Sequence, residues 1–395
     1  MADIKTIDDA NFAGKRVLVR VDFNAPVDGE GNVTDDTRIR AALPTINKLI
    51  GDGAKVILTS HRGRPSGEGF EESFSLGPIA RRLQELLGRD VVLTRDLTGP
   101  TVAETVDAMA DGDVVLLENI RFDKREKKND AAFARELADL ADAYVNDAFG
   151  TAHRAHASTA GVAEFLPSYA GYLMESEVAT LTGMLDTPRR PFVAILGGSK
   201  VSDKIKVIDA LLEKADTLII GGGMCFTFLA AQGHSVGTSL MEADWVERAA
   251  AMMDKARERG VALMLPVDVV AADVFANDAR TEIVPVEAIP TDMMGLDIGP
   301  ETANLYAEAI GMAKSVFWNG PMGVFEMPSF EAGTKRVAEA VAANAEADTI
   351  IGGGDSVAAV NKFDLADKMT FISTGGGASM ELVQGEKLPG VEALR

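Results

Sequence analysis

The sequence predicts an α/β fold built on two doubly wound parallel sheets, and three observations carry that expectation. Short apolar, β-branched runs recur along all 395 residues, continuous rather than alternating, as in strands buried on both faces. Segments with helical spacing, such as TRIRAALPTINKLIGDGA and DAAFARELADLADA, lie between most of them. Alternating β and α elements build open parallel sheets covered by helices. Eleven such runs are too many for one ordinary sheet, and 395 residues suit two domains at about 150 residues each.

In the first half the strand candidates are, in order, RVLVRVDF, KVILTSH, VVLT, DVVLLENIRF and AYVNDAF. In the second half they are PFVAILGG, TLIIGGG, ALMLPVDVV, SVFWNGP, DTIIGGG and MTFISTGGG. One segment breaks the rhythm. MESEVATLTGMLDTPRRP is a long helical stretch ended by Pro188 and Pro191, placed where a connector between two similar halves belongs. It sets a first domain at 1–172, a connecting helix at 173–187 and a second domain from 188 onward.

Composition narrows the function. Apolar residues make up 47% and charged residues 25%, an ordinary globular balance. No run reaches the length of a membrane span, and MADIKTIDDANF lacks the basic and apolar regions of a secretory signal. The single cysteine, Cys225, rules out a disulfide framework, so a cytoplasmic protein is expected. A net charge of −21 opposes general binding to nucleic acid or an anionic membrane. Against that background a local basic cluster stands out.

Such a cluster occurs in the first half. RVDFNAPV, Arg38 in DDTRIR, SHRGRP, ENIRF and TAHRAHAS all lie at strand ends or early in the following helix, where open α/β sheets bind ligands. They supply Arg38, His61, Arg62, Arg64, Arg121, His153, Arg154 and His156, including three of the four histidines. Guanidinium groups grip phosphate and carboxylate through paired donors, so their convergence would hold a small, multiply charged anion. Asp22 and Asn24 could bind its hydroxyl groups. No carboxylate or cysteine sits at zinc-like spacing beside His153 and His156.

The second half offers a different anion site. Glycine triplets end strands at Gly221–Gly223, Gly352–Gly354 and Gly375–Gly377, freeing backbone N–H groups for phosphate. GGSKVSDKI adds Lys200 and Lys204, expected on one helix face, and GGGDSVAAV adds Asp355, a lone carboxylate suited to magnesium on a nucleotide. Neither the P-loop nor the dinucleotide fingerprint is present. Met224, Phe226 and Phe228 are expected in the core rather than around an adenine. The missing fingerprint argues against a nicotinamide dehydrogenase. A two-lobed solute-binding protein has no use for the lysine pair with Asp355, and a non-catalytic scaffold leaves the arginines unexplained.

These segments, together with WNGPMGVFE and STGGGASMELVQGEKLPGVEAL, resemble the phosphoglycerate kinase family in order and spacing over essentially the whole chain. The resemblance implies two Rossmann-like domains joined by a hinge helix, a nucleotide-binding domain at 188–374 and a last segment, 375–395, returning to the N-terminal domain. It implies a glycolytic kinase that moves a phosphoryl group between 1,3-bisphosphoglycerate and ADP, giving 3-phosphoglycerate and ATP, with Mg2+ and hinge closure. On the matching positions, Asp22, Phe23, Asn24, Arg38, His61, Gly63, Arg64, Arg121 and Arg154 bind the triose. Arg62, where an apolar residue is expected, is grouped with them. Lys200, Lys204, Gly295, Asn319, Glu326, Gly353, Gly354, Asp355 and Ser356 bind the nucleotide, with Asp355 associated with the metal. Arg38, Lys200 and Gly376 would surround the transferred group. A monomer is expected.

Overall fold

The first-half runs become β1 (Arg16–Arg20), β2 (Lys55–Thr59), β3 (Val91–Leu93), β4 (Val114–Leu116) and β5 (Ala143–Asn146). A sixth strand, β6 (Ser168–Ala170), joins them in a fully parallel sheet of order β3-β4-β2-β1-β5-β6. β4 and β5 are buried along their whole length, and β1 and β2 at all but their first residue, which explains the lack of alternation in their sequences. The computed structural model describes residues 4–395. Its first unit runs to Ala179 and also contains Lys387–Arg395; Thr180–Glu386 form the second.

Helices α1 (Thr37–Gly51), α2 (Gly77–Leu87), α3 (Pro100–Asp107) and α4 (Ala131–Ala138) connect the strands of the first unit. α1 buries Ile39, Ala42, Ile46 and Leu49, one face at helical spacing. Each aliphatic side chain sealed in this way contributes about 1.5–3 kcal/mol. α2 has a proline in its first turn and stops at Gly88, which takes the left-handed conformation (φ 64°). α4 starts at Asp130, whose carboxylate accepts the Phe133 N–H at 3.0 Å. α5 (Tyr172–Asp186) is the long mid-chain helix, and the two units divide within it.

The second unit holds β7 (Phe192–Leu196), β8 (Thr217–Ile220), β9 (Ala262–Met264), β10 (Asp268–Ala272), β11 (Thr281–Pro285), β12 (Met294–Ile298), β13 (Ser315–Asn319), β14 (Asp348–Ile351) and β15 (Phe371–Ile372). Six of them form a parallel sheet in the order β15-β14-β13-β7-β8-β9. The helices are α6 (Ile205–Leu211), α7 (Cys225–Ala231), α8 (Val246–Arg259), α9 (Pro300–Met312), α10 (Ala332–Ala343), α11 (Gly354–Lys362) and α12 (Gly377–Val383). α13 (Pro389–Glu392) lies in the C-terminal stretch of the first unit, where the Gly390 N–H donates to the Ala152 carbonyl at 2.8 Å.

Besides β6, the sequence expectation lacked a whole sheet. β10, β11 and β12 form a separate antiparallel sheet. The apparent single run ALMLPVDVV is two strands, β9 and β10, divided around Pro266, which has no N–H for a central ladder. Among the described residues no helix is long and apolar enough to cross a membrane.

Candidate active site

All strands of each parallel sheet end at the same edge, so the loops after β1, β2, β4 and β5 gather side chains from distant parts of the sequence. The loop after β1 places Asp22, Phe23 and Asn24. Phe23 is core, and its N–H donates to Ser60 Oγ at 2.8 Å. Asn24 Oδ1 accepts the Gly63 N–H at 2.9 Å, tying this loop to the one after β2. Gly63 sits at φ +62°, and a Cβ there would come 2.5 Å from the Phe74 ring, so only glycine fits. Asp22 Oδ2 accepts from Arg38 Nη1 at 2.9 Å, which brings the start of α1 to the same loop.

His61 is the buried centre of this cluster. Its basicity falls well below the ordinary value, first because burial strips it of water and then because Arg20, Arg121, Arg38 and Arg154 all bear positive charge on it. The imidazole is therefore neutral at physiological pH. Arg121 is itself buried. Its Nη1 donates to the Gly63 carbonyl at 2.8 Å, but its Nε finds no partner. Burial, with Arg20 and Arg154 nearby, pulls its pKa down to about 10. A buried guanidinium with an unspent donor among like charges is costly without an anion. The residues present suit an anionic ligand for that reason.

Arg154 is exposed on the loop after β5, and Arg64 is exposed on the loop after β2. Neither side chain makes an ion pair among the described residues. Arg62 behaves differently from its neighbours. Its Nη1 donates to the Ser73 and Ser75 carbonyls at 2.9 and 3.0 Å, so it fastens a loop. Sequence reasoning passed over Arg20, Glu126 and Ser158, which lie buried beneath this site. Arg20 looks like an ordinary strand-end charge, and Glu126 is hidden in the basic run FDKREKKND.

In the second unit, Lys200, Lys204, Asn319, Gly353, Gly354, Asp355, Ser356 and Gly376 line one cleft of about 360 Å³. The two lysines do not share a helix face as their spacing suggested. α6 begins only at Ile205, because Gly198 (φ +111°) turns the chain after β7 and residues 201–204 remain in turns. The irregular turn still delivers both lysines to the same cleft. Lys204 bonds Asn319 Oδ1, and burial lowers its pKa against the pull of Asp355 and Asp203. Asn319 Nδ2 donates to the Gly352 carbonyl at 2.7 Å, and Ser356 Oγ accepts the Gly320 N–H at 2.6 Å. These bonds shape the turn before α11. At Gly353 (φ +88°) a Cβ would come 2.4 Å from Asn319 Nδ2.

An adjoining cleft of about 540 Å³ has apolar walls, including Leu240, Phe275, Met294, Leu296 and Val324, with Glu326 and Gly295 also lining it. The two clefts share Gly198, Ser199 and Asp355. Met224, Phe226 and Phe228 are all core, as expected, and Phe226 also backs the apolar cleft, its ring where a Cβ on Gly295 would sit, 2.1 Å away. Leu240 and Phe275 were missed because they lie on loops in short apolar pairs, 49% and 56% exposed, without periodicity. Among the described residues no group of three His, Cys, Asp or Glu side chains could hold a metal ion. Asp355, the carboxylate that lines both clefts, is an oxygen donor of the kind a hard cation on a ligand's phosphates uses.

The family model for phosphoglycerate kinase matches residues 7–386 of the chain. A phosphoglycerate kinase of Synechococcus elongatus is 59% identical over 394 residues, covering 99% of this chain and 98% of its own. That of Nostoc punctiforme is 58% identical over the same span. Among solved structures, phosphoglycerate kinase from Coxiella burnetii aligns with a TM-score of 0.92 at 43% identity, covering 99% of each chain. The Pyrococcus horikoshii enzyme aligns at 0.84 and 33% identity, covering 99% of this chain and 98% of its own.

Proposed function

This chain belongs to the phosphoglycerate kinase family and moves a phosphoryl group reversibly between 1,3-bisphosphoglycerate and ADP, and we propose how its residues divide that work. The first unit binds the triose through Arg38, His61, Arg64, Arg121 and Arg154, with Asp22 and Asn24 on its hydroxyl side. The second binds the nucleotide, its phosphates against Lys200, Lys204, Gly353, Gly354 and Ser356, and its base and ribose in the apolar cleft with Glu326. The observation that carries the triose assignment is the convergence of Arg38, Arg121 and Arg154 on a neutral, buried His61. The shared wall of the phosphate cleft and the apolar cleft supports the nucleotide assignment.

The attacking groups, a triose carboxylate in one direction and a nucleotide phosphate in the other, are ionised at neutral pH and need no general base. The site accordingly supplies donors: guanidinium, ammonium and glycine N–H groups. Its work is positioning and charge neutralisation of a loose, metaphosphate-like group. The donors assigned to that group are Arg38 in the first unit and Lys200 and the Gly376 backbone in the second. Mg2+, held by Asp355 and the nucleotide phosphates, would neutralise charge on those phosphates. Reacting atoms must approach to about 3–3.5 Å, so hinge closure is part of the proposal. A cytoplasmic monomer fits the acidic composition and the single, buried cysteine.

The decisive experiment is ATP-dependent turnover of 3-phosphoglycerate by the purified protein with magnesium, coupled to removal of the product. Turnover is expected. Tight nucleotide binding without turnover would overturn the assignment.

A further inference from the structure

Beneath the triose site lies a chain of hydrogen bonds that the transfer chemistry does not use. Arg20 is 1% exposed and Glu126 is fully buried. Arg20 Nε donates to Ser158 Oγ at 2.9 Å. Ser158 Oγ in turn donates to Glu126 Oε1 at 2.6 Å, and the Ser158 N–H donates to Oε2 at 2.9 Å. One Nη of Arg20 binds the Val21 carbonyl, and Nη2 lies 3.1 Å from His61 Nδ1. A guanidinium has only donors, so His61 Nδ1 must accept, and the ring hydrogen must sit on Nε2. No hydrogen bond among the described residues uses Nε2.

We propose that Arg20 is a positioning residue that locks His61 as the Nε2–H tautomer, presenting one fixed, uncharged N–H donor to the triose, and that Glu126 holds Arg20 in register through Ser158. The step from donor to triose rests on the assignment of the anion site above; the tautomer does not. Burial raises the Glu126 carboxyl, while Arg20, the two Ser158 bonds and Arg121 favour its charged form. As a carboxylate it only accepts, so the Ser158 hydroxyl points at it and offers its lone pair to Arg20. The arrangement also separates two jobs. Arg64 and Arg154, which make no ion pair among the described residues, and Arg38, which makes one with Asp22, supply charge, while His61 supplies direction without adding a positive charge to a crowded cluster.

The groups facing the His61 ring are Arg20, Arg38, Arg121 and Arg154, with Asp22 Oδ1 at 3.9 Å from Nδ1. Glu126 faces the other side of the network and lies 3.8 Å from His156 Nδ1. The cations outnumber Asp22 around His61, so the ring stays neutral over the physiological range.

Nitrogen-15 NMR of the labelled, ligand-free protein tests the inference. His61 is expected to show an unprotonated Nδ1 and a protonated Nε2, unchanged across the physiological pH range. A protonated Nδ1, or titration inside that range, overturns it whatever the kinetics. Ser158→Ala cuts the relay at a small side chain. It is expected to mix the tautomers and raise KM for 3-phosphoglycerate about tenfold, the order of one charge-assisted hydrogen bond, with KM for ATP unchanged. Ser158→Thr keeps the hydroxyl and is expected to restore both readouts. A Ser158→Ala protein with the wild-type tautomer and wild-type KM refutes the relay. Wild-type protein with the expected spectrum but no turnover would instead count against the assigned reaction.

Discussion

At the carboxyl edge of the first sheet, part of the positive charge is sealed into the protein, with Arg20 1% and Arg121 6% exposed beneath the more open Arg38, Arg64 and Arg154. At the same edge of the second sheet the design is reversed. Lys200 and Asp355 are exposed, and the enclosed parts are mostly uncharged: the Asn319 and Ser356 side chains, the Gly353 turn pressed on Asn319, and Gly197, where a Cβ would come 2.0 Å from the Pro321 carbonyl. The first site stores unfavourable electrostatics that an anion relieves; the second stores a shape. The consequence is that deleting atoms should damage the first site, whereas adding them should damage the second. The acceptor is small and densely charged, so charge can discriminate it. A nucleotide is large, and most of its surface must be met by walls.

The sharpest test of the charge-based site is Arg38→Ala. Arg38 is only half-buried, with 41% of its side chain exposed and one bond to Asp22, so its loss should leave the fold intact. Turnover is expected to drop by about 100- to 1,000-fold, the loss seen when one preorganised donor is removed from a transition-state site. Triose affinity measured by calorimetry should weaken far less. Equal losses in turnover and affinity would make Arg38 a simple binding group and remove the asymmetry between the sites.

A smaller effect, of opposite sign, is expected for stability. Arg121→Met replaces a buried guanidinium, with its pKa pulled down to about 10 mainly by burial, with an apolar side chain of similar length. The ligand-free protein should gain on the order of 1–3 kcal/mol in denaturant unfolding while losing triose binding. The sign follows from linkage. A base with a depressed folded value is penalised wherever it is charged, and relief comes only as pH rises through about 10. The gain should therefore be constant between about pH 5 and 8. A less stable variant would mean that Arg121 is compensated within the protein and that the first site is not strained.

This contrast was half legible in the sequence. Strand ends marked by Arg, His, Asp and Gly stand out because parallel sheets are apolar along their length and polar only where they stop. The expected arginines and glycines accordingly fell at the sheet edges. Buried charge was not legible. Arg20 and Glu126 have the residue types of solvated surface, and only three-dimensional pairing through Ser158 explains their burial. β11 was missed for a related reason: four of its five residues are exposed, so it carries no apolar signature. The lysine pair was legible as a pair but not as geometry, since a left-handed glycine delays α6 past both residues.

The smallest expected effect separates two buried carboxyl groups, one in each unit. Burial pushes Asp147 up to about 7 and Asp297 up to about 8. Asp147 Oδ1 accepts the N–H groups of Leu173 and Met174 at the start of α5, the Thr45 side chain beside it favours its charged form, and its Oδ2 makes no hydrogen bond within ordinary distance. Asp297 uses both oxygens, Oδ1 for the Ile298 N–H at 2.9 Å and Oδ2 for the Gly333 N–H at 2.7 Å. An asparagine can therefore replace the first but would turn its amide donor against an N–H at the second. For an acid whose folded value is raised, the folded state keeps a proton that the unfolded chain releases from about pH 4 upward. That contribution to stability declines as pH rises to the folded value and is flat beyond it. Relative to wild type, Asp147→Asn should thus gain on the order of 1 kcal/mol between pH 5 and 8, read from melting temperatures at the two pH values. Asp297→Asn should be less stable at both, because its lost acceptor does not depend on pH. Parallel melting curves for wild type and Asp147→Asn would show that this carboxyl is already ionised at pH 5, and that the start of α5 is held by charge rather than by a neutral cap.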